Sequence, residues 1–332
     1  MKAKDLKRYL EQLPKSELST LTLELYQSLS KRKKQDFQLK LLLATTVHKS
    51  SKKQLSFALE KLNIEQFVKN AHLLHYFYPN EVITTKERKN WTAPVEKWFK
   101  SLTNTTKKKK NLIKRAELLE QLYVVLCDAC EQEYFLCEDP FQALRITQIE
   151  FYKATLGLWA QAAGKEVLIN KGIELLIFNP LNSYTLYSQL MVAYSELLQD
   201  DILYRTAIDQ ALALLAENNF NPHRRSVVKQ SVLSVEDYWH EQVHNNLVEL
   251  IYRLYTLLGH LESAIDFFKK NYYERKEEIR LYVLVRLLFE DGNVERIQYE
   301  LEKAIEEGIE PRASLMQLLE SIAKKETLPH YI

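Results

Sequence analysis

Two stretches of equal length decide the fold: LIYRLYTLLGHLESAIDFF (residues 250–268) and VLVRLLFEDGNVERIQYEL (residues 283–301). They align without gaps on Gly259 and Gly292, which are 33 residues apart. Apolar residues recur at helical spacing on both sides of each glycine. After the glycine they fall at i, i+3 and i+7, which places one apolar stripe on a helix. The pattern predicts consecutive helix–turn–helix units that stack around a continuous core.

The same helical spacing continues upstream. Phe178-Asn179-Pro180 and Phe220-Asn221-Pro222 each close a predicted pair of helices, which indicates a repeated unit of about 40 residues. Asp139 followed by Pro140 predicts a capped helix start. Only six glycines occur, none before Gly157, which argues against a β-rich fold. We therefore expect an all-α fold, a helical-hairpin repeat array of the solenoid or superhelix kind with an N-terminal helical domain. Helices are predicted over residues 112–137, 141–163, 166–178, 183–198 and 202–217.

Part of the C-terminal half resembles known helical repeats. Gly292-Asn293-Val294-Glu295, followed by Gly308-Ile309-Glu310-Pro311, resembles the second helix and exit of a pentatricopeptide motif. The upstream Asn-Pro pairs resemble the ends of tetratricopeptide repeats. The resemblance implies a helical-repeat fold. Pentatricopeptide proteins read RNA bases, but the acidic sign of this half opposes a phosphate backbone, so no RNA-reading residues are carried over.

Charge divides the chain. Residues 1–115 contain 26 Lys and Arg against 10 Asp and Glu, a net charge of +16, whereas residues 116–332 contain 20 against 34, a net charge of −14. The stretch from residue 79 to residue 111 holds Pro79, Pro94 and the run Lys107–Lys110, and it is the expected boundary. Two domains are predicted: a basic helical domain over residues 1–110 and an acidic helical-repeat domain over residues 111–332.

Composition also narrows the class of protein. No glycine-rich phosphate loop occurs, and no apolar run approaches the roughly 18 residues that cross a bilayer. The charged N-terminus has no signal-peptide pattern, and three cysteines are too few for a disulfide framework. A cytoplasmic protein without membrane contact is expected. Cys127, Cys130 and Cys137 include a CxxC spacing, but their helical setting favours buried apolar side chains over a zinc site.

One short motif has the pattern of a zinc hydrolase. His240, Glu241 and His244 fit HExxH, in which two histidines one helical turn apart share a metal and the glutamate activates a bound water. Leu247 and Leu250 stand where the extended form of the motif requires Gly and His. His244 also continues an apolar packing face. An ordinary, partly buried helix is the favoured interpretation, and the hydrolase is kept as an alternative.

The basic half offers candidate contacts to phosphate. Runs of lysine and arginine neutralise a nucleic-acid backbone, and Trp91, Trp98 and Phe99 lie between basic residues. Such runs are also common on solvated surfaces. The candidate nucleic-acid-binding residues are Lys31, Arg32, Lys33, Lys34, Lys107, Lys108, Lys109, Lys110, Lys114 and Arg115.

The favoured function is binding or scaffolding: the repeat domain presents a surface to a protein or peptide partner. Nucleic-acid association through the Lys-rich half is the first alternative. No catalytic residue is assigned, no cofactor is expected, and the sequence does not predict an oligomeric state.

Overall fold

The computed structural model describes residues 52–104, 111–217 and 235–325, together with Glu17 and Pro329. Every regular element in these ranges is an α-helix, with no strand among them, which confirms the all-α prediction. The chain divides into a first unit, residues 1–94 with 134–136, and a second unit, residues 95–133 with 137–332. The predicted domain boundary at residue 110 falls within residues 105–110, which lie outside the described ranges.

The first unit is held by aromatic side chains. It contains α1 (Lys52–His72), α2 (Thr85–Lys89) and the start of α3 (Thr92–Thr103). The rings of Trp91 and Phe135 stack with centroids 4.0 Å apart, and Phe67 lies 5.7 Å from Phe135. All three side chains are at most 3% exposed. Burying several aromatic rings in contact supplies much of the stabilisation available to a small core.

The predicted helix over residues 112–137 is wrong at its end. Helix α4 covers Leu112–Asp128, after which the chain turns and Phe135 is buried in the first unit. Helical spacing of the cysteines continued past this point in the sequence. The burial of Phe135 among other aromatic rings overrides that local pattern.

Local caps set the next helices. Asp139 caps α5 (Pro140–Leu144) as predicted, because its Oδ1 accepts hydrogen bonds from the Phe141 and Gln142 amides at 2.8 and 2.9 Å. The predicted helix over residues 141–163 is two helices. Arg145 adopts a left-handed conformation (φ 55°), and Thr147 then opens α6 (Gln148–Ala163) with a capping box.

The remaining helices of the second unit follow as pairs joined by turns. After α7 (Lys165–Ile177), Asn179 Nδ2 donates to the Leu175 carbonyl at 3.1 Å, so the first Asn-Pro phrase ends a helix as predicted. The second phrase lies outside the described residues. The later helices are α8 (Tyr187–Leu198), α9 (Asp201–Glu217), α10 (Val235–Leu257), α11 (Leu261–Asn271), α12 (Glu277–Glu290), α13 (Val294–Glu306) and α14 (Ala313–Ala323).

Packing in the second unit follows the hairpin pattern. The helices of each pair contact one another: α6 with α7, α8 with α9, α10 with α11 and α12 with α13. The first helices of successive pairs also touch, α6 on α8 and α8 on α10. None of the described helices is both long and apolar enough to cross a lipid bilayer.

The two predicted C-terminal hairpins have matching turns. Gly259 and Gly292 adopt φ of +77° and +70°, a region that favours glycine. The amide that follows each glycine donates back to a carbonyl five residues earlier, at 2.9 Å in both turns. This is the hydrogen bonding of a Schellman helix end. Equivalent positions are fully buried in both hairpins: Ala264 matches Ile297, and Phe268 matches Leu301.

Two ion pairs join the hairpins through α10 and α12. Arg253 lies 2.6 Å from Glu290, and Arg286 lies 2.6 Å from Glu249. Arg253 and Arg286 are 33 residues apart and therefore occupy the same repeat position. Each hairpin contributes one arginine and one glutamate, which fixes the alignment of one helix against the other.

Candidate binding surface

The two histidines of the HExxH motif make different contacts. His244 Nε2 lies 2.7 Å from the Asn271 carbonyl and donates to it, which ties α10 to the end of α11. Burial lowers the pKa of His244, and the bond to Asn271 opposes this shift. The His240 ring instead packs edge-on against Trp239, with centroids 4.9 Å apart. Within the described part of the chain, no group of three or more His, Cys, Asp or Glu side chains is placed to hold a metal ion.

The cysteines are surrounded by apolar side chains and acidic groups. Burial, with a smaller contribution from the nearby Asp139 carboxylate, raises the pKa of Cys130 to about 12 and of Cys137 to about 11. The fully buried Cys127 has its pKa raised by burial as well. A thiol that stays protonated is a poor nucleophile and a poor metal ligand. This chemistry agrees with cysteines that act as small apolar groups.

The structure assigns Arg115 to another role than phosphate contact. Its side chain is 3% exposed, and the guanidinium donates to the carbonyls of Leu102 at 2.6 Å and Asn104 at 3.1 Å, and to that of Ser101. These carbonyls end α3 and would otherwise lack partners. The predicted role of Arg115 as a phosphate ligand does not agree with the structure, because its guanidinium is buried and already donates to backbone carbonyls.

The other basic candidates are only partly within the described residues. Lys114 Nζ pairs with Glu117 at 2.6 Å one turn along α4. Residues 31–34 and 107–110 lie outside the described ranges. Trp91 belongs to the core of the first unit, so it is not available to stack on bases.

A group of aromatic side chains, three exposed and one half-buried, lies on α7, α8 and α10, which contact one another in the second unit. Phe178, at the end of α7, stacks on Trp239 of α10 with ring centroids 5.9 Å apart. Phe178, Trp239 and Tyr238 are 38%, 43% and 60% exposed. Tyr187, the first residue of α8, lies close to Tyr238. We call Phe178, Tyr187, Tyr238 and Trp239 the aromatic patch.

The surroundings of Tyr187 connect the patch to polar groups. Burial raises the pKa of Tyr187, a hydrogen bond from the Asn246 side chain lowers it, and nearby Glu131 and Tyr238 raise it by smaller amounts. Asn246 is 8% exposed, so its side chain is buried beside the Tyr187 hydroxyl.

A cleft of about 270 Å³ between the two C-terminal hairpins is the second candidate. Its apolar floor includes Phe268, Leu281 and Leu284. Each basic group on its rim already has an acidic partner: Lys269 with Glu300 at 2.6 Å, Arg280 with Glu277 at 3.6 Å, and Lys303 with Glu307 at 3.8 Å. Because these charges neutralise one another, the rim offers little electrostatic attraction to a charged ligand.

Sequence reasoning missed the aromatic patch. The sequence pattern includes Phe178 only in the helix-ending phrase Phe178-Asn179-Pro180, and it does not single out Trp239. Phe178 ends α7 and Trp239 lies in α10, and other residues already form the apolar stripe of each helix. From the sequence alone, both aromatic residues are therefore expected to be further members of the core. Their exposure depends on which helices pack against which, and no local pattern encodes that.

A scan against protein-family models, a search of curated proteins and a search of solved structures each found no match to this chain.

Proposed function

We propose that the second unit binds a protein or peptide partner through the aromatic patch, as part of a helical-repeat array of the tetratricopeptide or pentatricopeptide kind. The observation that carries the proposal is the contact of Phe178 with Trp239, in which both rings keep more than a third of their surface exposed. Stacked, partly exposed aromatic rings on a rigid helical support are typical of residues that dominate interface energies.

The elements that hold the patch favour a preformed site. Trp239 lies in the first turns of α10, the longest described helix of the second unit, and α10 packs on α8, α9 and α11. Rings held on helices lose little conformational freedom on binding, so more of their contact energy appears as affinity. An exposed aromatic side chain that binds no partner would gain no advantage from being held rigidly on a helix.

The test is selection of binders from a random peptide library displayed against the intact protein, followed by fluorescence anisotropy with the recovered peptides. Trp239→Ala is expected to weaken binding by at least tenfold, because a buried aromatic anchor typically contributes about 2 kcal/mol or more. Tyr299→Ala is the matched control, since Tyr299 is a 51% exposed aromatic residue on α13. Equal affinities of the Trp239→Ala variant and the unaltered protein would overturn the proposal.

A further inference from the structure

The loop between α7 and α8, residues 178–186, buries polar side chains and exposes apolar ones. We call it the α7–α8 loop. Three of its polar residues are buried: Asn179, Asn182 and Thr185. Three of its large apolar or aromatic residues are exposed: Phe178, Tyr184 at 69% and Leu186 at 63%. The reverse distribution is usual in a folded protein, and neighbouring exposed apolar side chains mark interaction sites.

Hydrogen bonds to buried groups hold the α7–α8 loop in one conformation. Gln148, the first residue of α6, is fully buried, and its Nε2 donates to the Pro180 carbonyl at 2.9 Å. Its Oε1 accepts a hydrogen bond from the Asn182 amide, also at 2.9 Å. Asn182 Oδ1 accepts in turn from the Tyr184 amide at 3.2 Å. Because the loop is already ordered, its exposed side chains bind a partner at a small cost in conformational entropy.

The α7–α8 loop is continuous with the aromatic patch. It begins at Phe178 and leads directly into Tyr187, and both residues belong to the patch. Leu186 adjoins Tyr187 in the chain, and the Cα atom of Tyr184, three residues away, lies at most about 11 Å from that of Tyr187. Thr185 is buried, so the exposed side chains on either side of it point away from the core. The apolar surface of the loop therefore lies beside the patch.

The α7–α8 loop itself is uncharged. None of residues 178–187 is Asp, Glu, Lys, Arg or His. No Lys or Arg occurs in residues 172–204, so this stretch of chain offers no cation to a phosphate backbone or to anionic lipid headgroups. The buried centres of protein interfaces are likewise depleted in charged residues and rich in aromatic ones. The composition of the loop therefore favours apolar side chains of another protein.

We propose that the α7–α8 loop and the aromatic patch together bind an uncharged segment of another protein that carries two apolar anchor residues. This inference rests on the proposed function and adds the extent of the surface and the chemistry of the partner. One anchor packs against Phe178 and Trp239, and the other packs against Tyr184 and Leu186. A partner with a single anchor would leave one of the two pairs exposed to water.

The experiment uses the full-length protein and the peptides recovered from the random peptide library. In anisotropy titrations, Tyr184→Ala and Leu186→Ala are each expected to weaken binding by about fivefold or more, because the bound peptide covers both side chains. The recovered peptides are expected to share two apolar positions, and replacing either one with Ser is expected to weaken binding to a similar degree. Affinities are expected to change less than about twofold between low and physiological ionic strength, since contacts between uncharged groups are not screened.

Ile202→Ala is the matched control for the two loop variants. Ile202 is apolar and 72% exposed, and it is the second residue of α9. The 12 residues of α8, about 18 Å of helix, separate it from the loop. Each of the three variants changes one exposed side chain, so none is expected to affect folding, and circular dichroism checks this.

The outcomes distinguish this inference from the proposed function. Unchanged binding by Tyr184→Ala and Leu186→Ala, together with loss of binding by Trp239→Ala, would overturn the inference and leave the proposed function standing. Failure to recover any binding peptide overturns both. An equal loss in Ile202→Ala would overturn the assignment to the loop. Recovered peptides that are rich in charged residues and bind more weakly at higher salt would overturn the uncharged partner.

Two further measurements test other occupants of the same surface. A dimer in sedimentation velocity that Leu186→Ala dissociates would assign the loop to a second copy of this chain. Co-sedimentation with phosphatidylcholine vesicles that Leu186→Ala abolishes would assign the loop to a lipid surface. Either result overturns the inference, whereas a monomer that does not sediment with the vesicles supports it.

Discussion

Gly172 lies in the middle of α7, at a position where the structure leaves no room for a side chain. Its carbonyl accepts a hydrogen bond from the Tyr152 hydroxyl at 2.8 Å. A Cβ atom built on Gly172 would lie 2.2 and 2.6 Å from two ring carbons of Tyr194. Both tyrosines are completely buried, so neither ring can move without disturbing the core. The requirement here is for space, since the backbone of Gly172 is ordinary helix.

Gly172→Ala is expected to destabilise the protein by about 2 kcal/mol, because overpacking outweighs the better helix propensity of alanine. Gly157→Ala is the control in the neighbouring helix α6, where a Cβ would meet nothing within 4 Å. That variant is expected to gain about 0.5–1 kcal/mol. Urea denaturation monitored by circular dichroism gives both values. Stabilisation by both substitutions would show that the Tyr194 contact has no cost.

His244 is expected to make stability dependent on pH. Its pKa is lowered by burial, so the folded state binds a proton less readily than the unfolded chain. The folded protein therefore loses stability as the pH falls below the unfolded pKa of about 6.5, and the full loss is reached below the folded pKa. Melting temperatures measured between neutral and mildly acidic pH will show the effect.

The matched variant for this measurement is His244→Gln, which keeps a donor for the Asn271 carbonyl and does not titrate. Buried carboxyl groups with raised pKa values, such as Glu249 and Asp291, titrate in the opposite sense but are common to both proteins. The difference between the two pH profiles therefore isolates His244. Parallel profiles would contradict the prediction.

At the scale of elements, hydrophobic periodicity predicted the helices more reliably than their ends. The helix predicted over residues 166–178 is observed as Lys165–Ile177, and the one predicted over 202–217 as Asp201–Glu217. The Asp139-Pro140 cap and the turn at Gly259 were also predictable from the sequence. The cap needs only a side-chain acceptor and the turn only a residue that tolerates positive φ, and both are properties of the local sequence. The end of α4 was not, since it depends on the burial of Phe135 in another part of the structure.

The pairing of α10 with α12 gives a prediction at this scale. Arg286→Ala is expected to cost about 3 kcal/mol, because it leaves the Glu249 carboxylate, 8% exposed, without its cationic partner. Arg280→Ala on the same helix is the control and is expected to cost less than about 1 kcal/mol, since its partner Glu277 is 64% exposed. Urea midpoints give the comparison. Similar losses in both variants would mean that the buried pair contributes no more than a surface pair.

At the scale of the whole molecule, the sequence showed the division of charge between the two halves. It did not show which of the basic side chains are free to contact a nucleic acid. The basic candidates divide into groups with different settings. Arg115 is committed to the end of α3 and Lys114 to Glu117, whereas Lys107–Lys110 lies outside the described residues. Nucleic-acid association through the Lys-rich half therefore depends on the lysine runs and not on Arg115.

Replacing Lys107–Lys110 with glutamine separates the two functions. Peptide binding at the aromatic patch is expected to stay within about threefold of the unaltered protein, because the charges at the patch are unchanged. Filter binding of single- and double-stranded nucleic acid at increasing salt is measured in parallel. Retention that falls steeply with salt and disappears in the variant would establish the nucleic-acid alternative. Loss of peptide binding would place the peptide site in the Lys-rich half and contradict the proposed function.

The sequence by itself determined the all-α class, the matched C-terminal hairpins and the separation of charge. These follow from periodicity, from glycine at positive φ and from counting, all of which are local or additive properties. Only the tertiary structure decided that Phe178 and Trp239 meet at the surface, that Arg115 is buried and that Gly172 faces Tyr194. Those outcomes depend on contacts between helices distant in the chain, where burial and steric fit outweigh local propensity.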